Sequence, residues 1–117
     1  MKRVFILDDD EDIVQVLTHI LSKQYELRTQ TVADGIYDAI FNFKPDVIIV
    51  DNFIGEQNAH EILTQLRSNE QPVPAPVVLF SAAHNITELA AALGADKYLS
   101  KPASISDIRE MIKSMVE

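Results

Sequence analysis

Residues 45–51 have the sequence Pro45-Asp46-Val47-Ile48-Ile49-Val50-Asp51, and this pattern indicates the class of fold. Four consecutive β-branched aliphatic residues are typical of a strand that is buried on both faces of a parallel sheet. An ionised carboxylate directly after such a strand is costly unless it is paired or bound to metal. The stretch therefore predicts a central strand with a functional carboxylate at its carboxyl end.

Strand and helix patterns alternate along the rest of the chain. The other strand-like segments are residues 4–7, 25–31, 77–80 and 97–100, of which 25–31 alternates in the manner of an edge strand. Apolar residues recur at helical spacing in five segments, 13–21, 36–43, 59–66, 86–93 and 105–115. Five successive β-then-α units predict an α/β fold with helices on both faces of a parallel sheet.

Polar residues mark the expected helix starts. Asn58, Asn85 and Ser104 are each followed three positions later by an acidic residue, as in a loose capping box. The first helix is expected to begin near Ile13, after an acidic run at residues 8–12. That run has two interpretations, a solvated segment that complements the helix dipole or a cation site.

Composition excludes several classes of function. The 117 residues include no cysteine, and ten basic against eighteen acidic residues give a formal net charge of −8. This charge disfavours binding to nucleic acid or anionic membranes, and no apolar run approaches the length of a membrane span. We expect one cytoplasmic domain over residues 1–117, with no output domain encoded in them.

Carboxylates follow two of the predicted strands. Asp8 and Asp9 come directly after the first strand, and Asp51 follows the third. Because parallel strands end at the same edge of a sheet, these three side chains are expected to converge on one divalent cation. Clustered carboxylates without histidine or cysteine favour Mg²⁺, and one of them could act as a nucleophile that accepts a phosphoryl group.

A hydroxyl and an ammonium group follow the two remaining strands. Ser81 ends the fourth strand, where it is either a turn or cap residue or a donor to a phosphoryl oxygen. Lys101 follows the fifth strand, where it is either solvated or placed to neutralise phosphoryl charge. Pro102 could fix the direction of the lysine.

With these motifs in this order, the chain resembles, from end to end, the receiver domain of two-component response regulators. It is similar to the single-domain, chemotaxis-type members, and the segments that carry the resemblance are residues 6–10, 45–51, 80–82 and 98–102. The resemblance implies a flavodoxin-like (CheY-like) fold, with a five-stranded parallel sheet in the order 2-1-3-4-5 and five helices.

The resemblance also implies a role for Asp51 as acceptor of a phosphoryl group from a sensor histidine kinase or phosphotransfer protein. By the same likeness, Asp8, Asp9, Asp51 and the backbone carbonyl of Phe53 would hold Mg²⁺. Such a receiver is a signalling protein rather than an ordinary enzyme, and it is a monomer or a phosphorylation-dependent dimer.

Three further roles follow from the likeness. Ser81 and Lys101 would contact the phosphoryl group, and Tyr98 matches the switch aromatic of the family. Inward rotation of that ring would reshape the face made by the fourth helix, fifth strand and fifth helix, where a downstream protein binds. Alternatively, Tyr98 is only a partly buried tyrosine of an edge strand.

The sequence departs from the family pattern after the acceptor. Residues 54–59 replace the usual Met-Pro segment, with Gly55 where proline is common. Phe53 and Ala83 occupy the two positions whose side chains often tune hydrolysis, and neither side chain can orient a water molecule by hydrogen bonding. We therefore expect slow loss of the phosphoryl group.

Two alternative functions remain open at this stage. One is a receiver-like binding module that works without phosphorylation. The other is a haloacid-dehalogenase-like phosphatase with Asp8 as nucleophile, although that would leave Asp51 unexplained. Glycine-rich nucleotide-binding motifs are absent, because the three glycines are too far apart in the sequence.

Overall fold

A five-stranded parallel sheet lies at the centre of the structure, a computed structural model that describes residues 1–117. Its strands, numbered along the chain, are β1 (Arg3–Leu7), β2 (Glu26–Gln30), β3 (Val47–Val50), β4 (Val77–Ser81) and β5 (Lys97–Ser100). All neighbouring strands pair in parallel, in the order β2-β1-β3-β4-β5. The expected α/β fold and strand order are confirmed.

Helices cover both faces of this sheet. They are α1 (Glu11–Leu21), α2 (Ile36–Phe43), α3 (Ala59–Ser68), α4 (Ile86–Leu93) and α5 (Ile105–Val116). One buried cluster contains residues of α2, α3 and α4, and a second contains residues of α1 and α5. Alternate residues of β1 belong to opposite clusters, Phe5 to the first and Ile6 to the second. Burial on both faces explains the continuous apolar strands.

None of the helices has the length and apolar character that crossing a membrane requires.

Helix α1 begins earlier than the sequence predicted. Its first residue is Glu11, and the carboxylate of Asp10 accepts hydrogen bonds from the N–H groups of Asp12 and Ile13. The expected start near Ile13 was therefore two residues late. Asp10, Glu11 and Asp12 therefore form the cap and first turn of the helix. Only Asp8 and Asp9 of the acidic run precede the helix cap.

Two of the three predicted helix caps are confirmed. Asn58 accepts a hydrogen bond from the N–H of Glu61, and Ser104 accepts one from the N–H of Asp107. The predicted cap at Asn85 was wrong, because its side chain makes no capping hydrogen bond. Its backbone has φ −99° and ψ 35°, outside the extended conformation that a capping residue usually adopts.

A short antiparallel hairpin follows β3. Residues 53–54 pair with residues 57–58, and Gly55 and Glu56 form the turn between them. Gly55 has a φ of 62°, which suits a glycine in the first position of a two-residue hairpin turn. From the sequence, this segment was recognised only as a departure from the family pattern, and the hairpin was not predicted.

Candidate functional site

The ends of β1 and β3 bring the predicted carboxylates together. These strands pair with Leu7 opposite Val50, so that Asp8 and Asp51 leave the sheet side by side. Asp8 is only 2% exposed, Asp51 is partly buried, and Asp9 lies at the surface. Carboxylate oxygens of the three residues all lie within 4.8 Å of one another. The structure therefore forms the acidic cluster that the sequence predicted.

Lys101 enters this cluster from the end of β5. Its Nζ donates to Oδ2 of Asp8 at 2.8 Å and to Oδ2 of Asp51 at 3.2 Å. The lysine side chain is 14% exposed, and Nζ lies 5.3 Å from the ring centroid of Phe80. The Lys101–Pro102 peptide bond is cis. The ammonium group thus forms a partly buried ion pair with two strand-end carboxylates, rather than being solvated.

Backbone N–H groups also orient the three carboxylates. Each of the three residues accepts one such hydrogen bond, and the pairs are Asp10 N–H to Asp8 Oδ1 (3.0 Å), Gly55 N–H to Asp9 Oδ2 (3.1 Å) and Asn52 N–H to Asp51 Oδ1 (2.7 Å). These donors hold the carboxylates in a defined arrangement before any ligand binds.

The pKa values of two groups in the cluster are perturbed. Burial raises the pKa of the Asp51 carboxyl, the charge of Asp8 raises it further, and the Asn52 N–H and Lys101 oppose this effect only in part. Burial lowers the pKa of Lys101, but its hydrogen bond to Asp8 and the charges of Asp51 and Asp8 outweigh this and leave the pKa raised. Lys101 therefore remains an ammonium ion at neutral pH.

The donor set fits a hard divalent cation. The cluster contains three carboxylates and one ammonium group, which pairs with two of them, and oxygen ligands with an excess of negative charge suit Mg²⁺. Asp8, Asp9 and Asp51 could hold such an ion. Phe53 lies two residues after Asp51, in the hairpin, with its side chain 56% exposed. The role of its carbonyl stays a prediction.

Ser81 lies at the same edge of the sheet but takes no part in the ionic contacts. It is 4% exposed, pairs with Ser100 across β4 and β5, and accepts the Lys101 N–H on its backbone carbonyl. Its Oγ accepts a hydrogen bond from the N–H of Ala83 at 3.2 Å. This bond is that of a turn residue, and contact with a phosphoryl group stays a prediction.

Tyr98 lies outside the cluster, on β5. Its side chain is 41% exposed, and its hydroxyl accepts a hydrogen bond from Oγ1 of Thr87 in α4 at 3.1 Å. Thr87 has no signal in the sequence, because the contact depends on how α4 lies against β5. The Gly55 N–H, a donor to the cluster, was also not predicted. The switching role of Tyr98 stays a prediction.

Comparison with known proteins agrees with this description of the fold. A family model described as "Response regulator receiver domain" matches residues 4–113. The chain is 27% identical to the alkaline phosphatase synthesis transcriptional regulatory protein PhoP of Bacillus subtilis, and the match covers 98% of this chain and 48% of that protein. It is 28% identical to the response regulator MprA of Mycobacterium sp. (strain KMS), covering 97% of this chain and 50% of MprA. The chain thus spans about half the length of these curated relatives.

Solved structures agree on the fold. The N-terminal domain of the nisin resistance regulator NsrR aligns with a TM-score of 0.88 at 23% identity, covering 100% of this chain and 99% of that one. The chemotaxis response regulator CheY4 of Vibrio cholerae aligns with a TM-score of 0.86 at 22% identity, and 98% of each chain is covered. The family match covers the sheet except its first residue and the five helices except the last three residues of α5. The chain therefore belongs to the receiver domain family of two-component response regulators.

Proposed function

We propose that this receiver domain accepts a phosphoryl group on Asp51 from a sensor histidine kinase or phosphotransfer protein in the cytoplasm. The observation that carries the proposal is the convergence of Asp8, Asp9 and Lys101 on Asp51. An isolated carboxylate at a strand end would need one partner to offset its burial. A cluster of this kind also provides the charges that a phosphoryl group requires.

The chemistry is the transfer of a phosphoryl group from a phosphohistidine nitrogen to a carboxylate oxygen. The P–N bond of the donor breaks, the electron pair remains on the imidazole, and an acyl phosphate forms on Asp51. Mg²⁺ bound by Asp8, Asp9, Asp51 and the Phe53 carbonyl would offset the negative charge of the phosphoryl oxygens. Within the chain, the Lys101 ammonium would pair with one of these oxygens.

Ser81 supplies the second contact of the chain with the phosphoryl group. Its hydroxyl currently accepts the Ala83 N–H, which leaves the O–H free to donate to a phosphoryl oxygen. That new bond would draw the end of β4 toward Asp51. We propose that Tyr98 then turns inward, so that the face formed by α4, β5 and α5 binds a downstream protein.

The proposal includes the other expected properties of such a receiver. The domain acts as a monomer or as a phosphorylation-dependent dimer, and its net charge of −8 disfavours contact with nucleic acid or membrane. Because Phe53 and Ala83 offer no hydrogen-bonding side chain for an attacking water molecule, hydrolysis of the acyl phosphate is slow.

Phosphorylation by acetyl phosphate tests the proposal. The purified chain is incubated with acetyl phosphate and Mg²⁺, and intact-mass spectrometry measures the addition of one phosphoryl group. We expect labelling of the wild type, none of Asp51→Asn, and normal labelling of the matched control Asp12→Asn, which changes an exposed aspartate in the first turn of α1. Release of phosphate from the labelled protein then gives the lifetime.

Each contrary result identifies one alternative. Labelling that persists in Asp51→Asn but disappears in Asp8→Asn would support the phosphatase interpretation with Asp8 as nucleophile. A wild type that accepts no phosphoryl group from acetyl phosphate or from phosphorylated kinase would support the binding module. A half-life of seconds would contradict slow hydrolysis without affecting the identity of the acceptor.

A further inference from the structure

The turn of the hairpin after β3 contacts the acidic cluster through one backbone group. The N–H of Gly55 donates to Oδ2 of Asp9 at 3.1 Å, a bond between residues 46 positions apart. Asp9 is the exposed member of the cluster, and the structure shows no other hydrogen-bond donor to its carboxylate. Asp8 and Asp51, by contrast, are also held by Lys101.

Glycine makes this contact possible. The φ of 62° at Gly55 is a conformation that side-chain-bearing residues rarely adopt, and it lets the first turn residue direct its N–H toward Asp9. A proline at this position would have no N–H to donate and a fixed negative φ. No atom lies within 4 Å of where a Cβ would be, so packing does not explain the glycine. The backbone conformation and the N–H are its two contributions.

We propose that the Gly55 N–H is a positioning group that holds Asp9 ready to bind Mg²⁺, and that it couples the hairpin to occupancy of the cation site. An exposed aspartate otherwise samples several rotamers, and ordering it on binding costs conformational entropy. Here Oδ2 is occupied by the N–H, while Oδ1 has no protein donor and is free for the cation. Groups that orient metal ligands commonly influence affinity in this way.

The inference rests on the proposed Mg²⁺ site and concerns how that site is pre-formed. It also explains a departure of this chain from the usual receiver pattern. With proline after the acceptor strand, no backbone donor would be available at this position. With Gly55, the segment that follows Asp51 is attached to one of the ligands of the ion.

An amide-to-ester exchange at Gly55 removes only the donor. In a chemically synthesised chain, Gly55→glycolic acid replaces the N–H by oxygen and keeps a residue that tolerates positive φ. The matched control is the same exchange at Glu56, whose N–H has no acceptor in the structure. Isothermal titration calorimetry with MgCl₂ alone measures the affinity. We expect a loss of roughly five- to tenfold for the Gly55 ester and a change of less than about twofold for the control.

Nuclear magnetic resonance separates this effect from loss of the hairpin. Cross-strand contacts between Phe53 and Asn58 should persist in both esters, because these residues pair outside the turn. In the wild type, the Gly55 amide should exchange more slowly with solvent when Mg²⁺ is added, since the cation orders Asp9 and its donor together.

The possible results distinguish the two proposals. If the wild type binds no Mg²⁺, the proposed cation site fails and the role of Gly55 fails with it. If the wild type binds and the Gly55 ester matches the Glu56 control, the cation site stands and only the positioning role is overturned. Higher Mg²⁺ affinity in the Gly55 ester would also overturn it, because the N–H would then compete with the ion.

Discussion

Replacing Lys101 by methionine should destabilise the metal-free domain strongly. Lys101→Met keeps the length of the side chain but removes the ammonium group that lies 2.8 Å from buried Asp8 and 3.2 Å from Asp51. Removing one partner of a buried ion pair costs roughly 3–5 kcal/mol. Because the lysine retains some exposure, we expect the lower end, about 3 kcal/mol. For a domain of this size, the melting temperature should fall by about 12 °C.

The pH dependence of this loss follows from the groups involved. Lys101 has a raised pKa in the folded state, so its contribution is complete below the ordinary value of 10.5 and is lost only as the pH rises through the raised pKa. The difference in the free energy of unfolding between wild type and Lys101→Met should therefore not depend on pH near neutrality. This difference should narrow in acid, where protonation of Asp51, whose pKa is raised, removes a charge that the ammonium offsets.

Thermal unfolding followed by far-ultraviolet circular dichroism provides the assay, with EDTA and then with Mg²⁺. The cation should restore more stability to Lys101→Met than to the wild type, because the cluster of the variant is more negative by one charge. Lys113→Met is the control, since that exposed lysine lies 4.0 Å from exposed Glu117, and it should change stability by less than about 0.5 kcal/mol. If Lys101→Met lowers the stability of the domain no more than Lys113→Met does, the ion pair does not stabilise the fold and the reasoning is refuted.

Two further predictions concern the acceptor and the switch. Burial raises the pKa of the Asp51 carboxyl, so the folded state loses stability as the pH rises through that pKa and the carboxyl ionises. Metal-free Asp51→Asn should therefore be more stable than wild type at neutral pH. Urea unfolding at several pH values checks this, and a variant that is less stable at pH 7 than wild type would contradict it. Thr87→Val removes the hydroxyl that donates to Tyr98, so the ring should leave its outward position more often, with a change in stability of less than about 0.5 kcal/mol. Nuclear magnetic resonance of a fluorotyrosine-labelled chain would show this, and unchanged Tyr98 signals would exclude a restraining role for Thr87.

Local patterns were sufficient for most of the secondary structure. The run at residues 47–50 corresponds to a strand that is buried throughout, and burial on both faces imposes that pattern. Residues 26–30 form the predicted edge strand, although Thr29 is exposed and Gln30 is partly buried, so exposure there does not follow the alternation. Asn85 was the exception among the predicted caps, since a capping bond also depends on backbone angles that the residue type does not determine. The hairpin was missed because its strands have only two residues each, too few to show a period.

The sequence alone determined the class of fold and the edge of the sheet at which the polar residues would meet. Both are consequences of chain order, because parallel strands must end on the same side, and Asp8, Asp51, Ser81 and Lys101 each lie at the end of a different strand. Only the tertiary structure decided which groups touch. Lys101 binds Asp8 across 93 positions, Gly55 binds Asp9 across 46, and Thr87 binds Tyr98. Such contacts depend on rotamers and on the packing of segments that are distant in sequence, and no local pattern records those.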